Sequence, residues 1–78
     1  MDLWNVNNDT IGQVAVRKIA GELSIDLANL TPMGVRRLSG LYVDVEVVER
    51  VSGKRHGVTV YETDLLDERL IRDIEGLH

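Results

Sequence analysis

Between residues 41 and 62 the chain alternates with a period of two. Apolar side chains stand at Leu41, Val43, Val45, Val47 and Val51, with Asp44, Glu46 and Arg50 between them, and Val58 and Val60 resume the pattern beyond Gly53. That period marks half-buried strand, so the stretch predicts a two-stranded antiparallel hairpin over 41–62. Inward positions are odd-numbered on the first strand and even-numbered on the second. Facing residues must therefore sum to an odd number, which requires a loop of even length. Either Ser52-Gly53 or Gly53-Lys54 can supply the two central residues of a primed turn. The first choice sets Val47 opposite Val58 and Val45 opposite Val60.

Outside the hairpin the spacing is helical. Asn8, Asp9 and Thr10 are three successive candidate N-caps, and Ile11, Val14, Ala15, Ile19 and Leu23 follow at the 3–4 spacing of an amphipathic helix over 10–22. The alternative for residues 13–27 is a pair of strands turning at Ala20-Gly21. Residues 24–30 predict a short helix or turn, with Ser24 as its cap. Thr31-Pro32 marks a boundary, since threonine caps well and proline suits the first helical position. Leu30 would staple back onto a helix of about two turns over 33–39, stopped by Gly40. After the hairpin, Thr63 or Asp64 caps a last helix within 64–76, ended by Gly76. Its stripe is Leu66, Leu70, Ile74 and Leu77, widened by Leu65 and Ile71. Trp4 predicts a terminal anchor over the core edge, with ligand stacking as the alternative. The expected fold is a single α+β domain over 1–78, in the order helix, helix, helix, strand, strand, helix.

Composition narrows the class. With 78 residues and no cysteine, the chain has room for one small core and no disulfide or thiolate metal site to reinforce it. A second copy or a partner is a common source of the missing stability. No apolar run approaches the ~18 residues of a membrane span, and no signal sequence opens the chain, so a cytoplasmic protein is expected. The net charge of −4 is unevenly spread. Residues 1–61 hold seven acids and seven bases, while 62–78 hold six acids against Arg69 and Arg72. An acidic tail argues against indiscriminate coating of nucleic acid, yet leaves room for a local basic face.

Catalytic chemistry has little to draw on. The two histidines are His56 at the hairpin tip and His78 at the end of the sequence, in no metal-binding spacing. Ser24, Ser39 and Ser52 have no base in a recognisable motif, and no glycine-rich phosphate loop follows a strand. No catalytic residue, metal or cofactor is expected, and the chain reads as a non-enzyme.

Binding has more. Residues 27–38, from Leu27-Ala28-Asn29 through Thr31-Pro32 to Arg36-Arg37-Leu38, look like a helix, a turn and a recognition helix. Residues 48–61 look like a wing, with Gly53-Lys54-Arg55-His56 at its tip and Tyr61 in the returning strand. Residues 25–62 thus resemble the core of a winged helix-turn-helix. That resemblance implies a DNA-binding transcription regulator on double-stranded DNA, with its recognition helix in the major groove and its wing near the backbone. By position, Thr31, Met33, Arg36 and Arg37 would face DNA from the helix, and Lys54, Arg55 and His56 would touch phosphate from the wing. Arg17 and Lys18 would add backbone contacts. Leu66, Leu70, Ile74 and Leu77 would form a homodimer surface. The competing expectation is a non-enzymatic assembly or adaptor protein, for instance a small phage or virion connector, that binds neighbouring subunits through the hairpin and the last helix. The two separate on Arg17, Arg36, Lys54 and Arg55. Convergence on one acid-free face favours DNA, whereas scatter, or pairing with Glu22, Glu46 or Glu49, favours assembly.

Overall fold

The computed structural model describes residues 5–37 and 41–74. The N-terminal helix holds. α1 runs Asn8–Leu23, and its cap is Asn7, whose Oδ1 accepts from the Thr10 amide at 2.8 Å. Its buried face is broad, taking in Ile11, Val14, Ala15, Val16, Ile19 and Ala20. The strand pair considered for 13–27 is excluded. Ser24 ends the helix in the left-handed conformation, with φ 55°, rather than starting the next element. Asp26 caps the single 3-10 turn Leu27–Asn29, its side chain accepting from the Ala28 amide.

The sharpest correction follows. Residues Leu30–Arg37 are strand β1, not a recognition helix, so three strands replace the expected two. β2 is Tyr42–Glu49 and β3 is Arg55–Tyr61, and the antiparallel order is β1-β2-β3. A two-stranded ribbon is marginal in water and leaves one side of β2 without hydrogen-bond partners, whereas a third strand supplies them. Arg50 donates its amide to the Asn29 carbonyl and Glu49 donates its own to Lys54. Even-numbered residues of β2 thus bond toward β1 and odd-numbered ones toward β3. Pro32 pairs with Val47, so its ring nitrogen lies on the outer edge of β1, where proline removes no ladder bond. Met33 is the extra residue of a bulge between Pro32 and Gly34. The stop expected at Gly40 lies outside the described residues, as does Trp4.

The hairpin keeps its faces and its odd-sum pairing but turns earlier than expected. Val45 pairs with Val58, and Val43 with Val60, while Val47 faces His56. Neither Ser52-Gly53 nor Gly53-Lys54 forms a two-residue primed turn. Instead, Glu49 accepts from the Gly53 amide and donates to the Lys54 carbonyl, both at 2.8 Å, and Gly53 has φ +74°. This is a turn over Arg50, Val51 and Ser52 closed by a left-handed glycine bulge. Val51, expected to point inward, is 89% exposed at the tip.

The last helix is broken. A 3-10 segment, Glu62–Leu66, leads into the four-residue α2, Glu68–Ile71. Two aspartates interrupt it, Asp64 accepting from the Tyr61 amide and Asp67 from the Arg69 amide. Short acidic side chains that bond nearby backbone compete with continuous helix. Leu65 is fully buried, and Leu70, Ile71 and Ile74 pack on the core.

The result is two layers. α1 covers one face of the sheet, over Val43, Val45, Val47, Val58, Val60 and Leu30, and α2 lies against α1. The α+β class stands; the element order does not. Among the described residues no helix is long and apolar enough to cross a membrane.

Candidate functional site

Strand alternation leaves the second face of the sheet open. On it lie Gly34 and Arg36 of β1, Tyr42, Asp44 and Glu46 of β2, and Arg55, Gly57, Thr59 and Tyr61 of β3. Gly34, Glu46 and Gly57 share one register row, so Glu46 is the only side chain across the middle of the sheet. Neither glycine has a neighbouring atom within 4 Å of where a Cβ would stand. A shallow groove results, bordered by Arg36, Asp44, Arg55 and Thr59.

Its charges are mostly answered within the chain. Arg55 Nη1 lies 3.1 Å from Glu46, both side chains well exposed, so this pair adds at most about 1 kcal/mol. Thr59 donates its hydroxyl to Asp44 at 3.1 Å. Arg36 faces Asp44 in register but makes no hydrogen bond or ion pair among the described residues. At one end of the face the Tyr42 and Tyr61 rings stand 6.2 Å apart at 49°. Among the described residues this face offers exposed backbone at two glycines, the guanidinium of Arg36 and two aromatic rings.

The nine residues assigned to DNA do not share a surface. Thr31, Arg36 and Arg55 lie on the open face, and Thr31 Oγ1 accepts from Arg50 Nε at 2.6 Å. Met33 is exposed at the β1 bulge, and Lys54 at the hairpin turn. Arg37 points to the helix side, where its guanidinium bonds Asn8 Oδ1 and the Val6 carbonyl. His56 is also on the helix side, with Nε2 2.7 Å from Glu49. Arg17 donates to the Arg72 carbonyl, tying α1 to the end of α2. Lys18 reaches round the edge of the sheet: its Nζ bonds the Thr59 carbonyl at 2.8 Å and Asp64 at 2.9 Å, and stands 5.0 Å from the Tyr61 ring centre.

The four residues assigned to self-association also divide. Leu70 and Ile74 are spent on the core, Leu66 is exposed, and Leu77 lies outside the described residues. The open face was itself visible as the polar half of the β2 alternation, Tyr42, Asp44 and Glu46. Ordinary solvated charge carries the same pattern, so nothing in it singles out a surface. No group of three or more potential metal ligands forms among the described residues. Comparisons with protein-family models, with curated proteins and with solved structures each return no match.

Proposed function

We propose that this chain is a non-enzymatic assembly or adaptor protein that works by binding neighbouring protein subunits. What carries the reading is the disposition of the four bases that separate it from a DNA binder. Arg55 is paired with Glu46, Arg17 is tied to the carbonyl of Arg72, and Arg36 lies on the open face while Lys54 lies at the turn. A surface that tracks phosphates needs its cations gathered and unopposed. The segment assigned to the major groove is edge strand β1, and its two arginines point to opposite faces of the sheet. An open sheet face and sheet edges are, by contrast, ordinary sites of protein–protein contact.

The test is a duplex-DNA titration at two salt concentrations, with the wild type and with Lys54→Ala/Arg55→Ala. The assembly reading expects no saturable binding at low salt by either protein. Binding that weakens in the double variant, with a salt slope shallower by about one unit per lost contact, would overturn it.

A further inference from the structure

We propose that β3 pairs antiparallel with β3 of a second copy of this chain, joining two three-stranded sheets into one of six strands. This rests on the assembly reading and names its partner. Among the described residues β3 is an edge strand, with β2 on its inner side. Since His56, Val58 and Val60 pair with odd-numbered residues of β2, the backbone groups of Arg55, Gly57, Thr59 and Tyr61 point outward. Part of that outer row is already used, the Thr59 carbonyl by Lys18 and the Tyr61 amide by Asp64. The amides and carbonyls of Arg55 and Gly57, and the amide of Thr59, remain directed outward.

The two edges of the sheet are treated differently. β1 carries Pro32 and a bulge, the usual means of blunting an edge. β3 has neither, and its register with β2 is uninterrupted from Tyr61 to Arg55. After Tyr61 the chain leaves the strand, and α2 packs on α1 instead of lying along β3. Gly57 sits at the middle of the exposed row. Its φ is not positive, and a Cβ there would meet nothing, so neither backbone strain nor internal packing calls for glycine. Glycine within a strand commonly marks close approach by another backbone.

Charge selects a second copy as the occupant. β3 begins at Arg55, and Asp44 lies on the open face in the register row of Thr59. Asp64 is already paired with Lys18, whereas Asp44 has no cationic partner among the described residues. Antiparallel pairing of β3 with itself therefore brings Arg55 of each copy toward Asp44 of the other, twice, by symmetry. Centred on Gly57, it sets Arg55 of each copy opposite Thr59 of the other, beside Asp44. Such an isologous contact closes on a two-fold axis.

Sedimentation of the full chain from micromolar to millimolar concentration tests this, together with amide hydrogen exchange over the same range. A monomer–dimer equilibrium is expected, with the Gly57 amide exchanging more slowly as dimer accumulates. Gly57→Pro removes an outward amide and leaves the β2 ladder intact. It should keep the circular dichroism of the fold and weaken dimerisation roughly ten- to hundredfold, because symmetry removes two donors at once. Monomer at every concentration overturns edge pairing. So does a dimer with an unprotected Gly57 amide, a result that leaves assembly through another surface in place. Should Gly57→Pro fail to fold, exchange at Gly57 and Thr59 in the wild type decides alone. The assembly reading itself falls only to duplex binding.

Discussion

A Cβ placed on Gly12 would lie 3.1 Å from Pro32 Cβ and 3.2 Å from its Cγ. The helix and the edge strand therefore meet where one has no side chain and the other has a rigid ring. Alanine is the better helix former by about 1 kcal/mol. Pro32 is held by its place in β1 and cannot swing aside as a flexible side chain would. Gly12→Ala should therefore lower stability by about 1 kcal/mol despite its helix propensity, because the overpacking exceeds the gain. In a Pro32→Gly background, which removes both atoms, the same change should be neutral or stabilising. Urea unfolding of the four proteins of this cycle measures the coupling.

Adjacent leucines should behave oppositely. Leu65 is fully buried and Leu66 is 63% exposed. Leu65→Ala should cost about 3 kcal/mol, a large part of the stability of so small a domain. Leu66→Ala should stay within about 0.5 kcal/mol. Equal losses at the two sites in thermal unfolding would contradict the packing of the 3-10 segment.

Gly53 closes the β2–β3 turn at φ +74°. An L-residue there adopts a conformation it disfavours, so Gly53→Ala should destabilise by about 1 kcal/mol. Gly53→Asn should cost less, since asparagine tolerates the left-handed region. Chemical denaturation ranks the three.

Hydrogen bonds from the Arg69 side chain and backbone hold the Asp67 carboxyl below its ordinary value, with the nearby guanidinium charge adding to the effect. A carboxyl depressed in the folded state favours folding above the unfolded value, and that contribution disappears as pH falls through the folded one. Asp67 should thus titrate below the ordinary aspartate range when followed by carboxyl-carbon NMR. Arg69→Ala should move its midpoint up. An unchanged midpoint in the variant would remove Arg69 as the cause.

What was legible in the sequence was what local pattern alone decides. The 3–4 spacing from Ile11 to Leu23 gave α1, and the odd-numbered valines of β2 gave a strand with its inner face correctly assigned. β1 was illegible because Thr31-Pro32 suits the start of a helix as well as it suits a sheet edge, and Gly34 weakens both. Its state is decided by the even-numbered backbone of β2, which would otherwise be unpaired, a demand made from beyond the next turn: Val48 on Thr31, Glu46 on Gly34 and Asp44 on Arg36. Gly53 suits the centre of a primed turn as well as a bulge, and its left-handed φ serves the bulge. Leu70 and Ile74 form an apolar stripe that core and interface use alike, and only packing against α1 tells them apart. The open face, with Glu46 between two glycines and Asp44 between Arg36 and Thr59, needed the strand register before its members could be seen together.

Pro32 and the Met33 bulge also set how far any association through the sheet can go. A sheet with two receptive edges can add copies without end and grow into a filament. With one edge spoiled, each chain has a single place for another strand, and filling it leaves nothing to extend. Growth by edge pairing would therefore stop at a pair, with the proline that suits the start of a helix acting as its terminator.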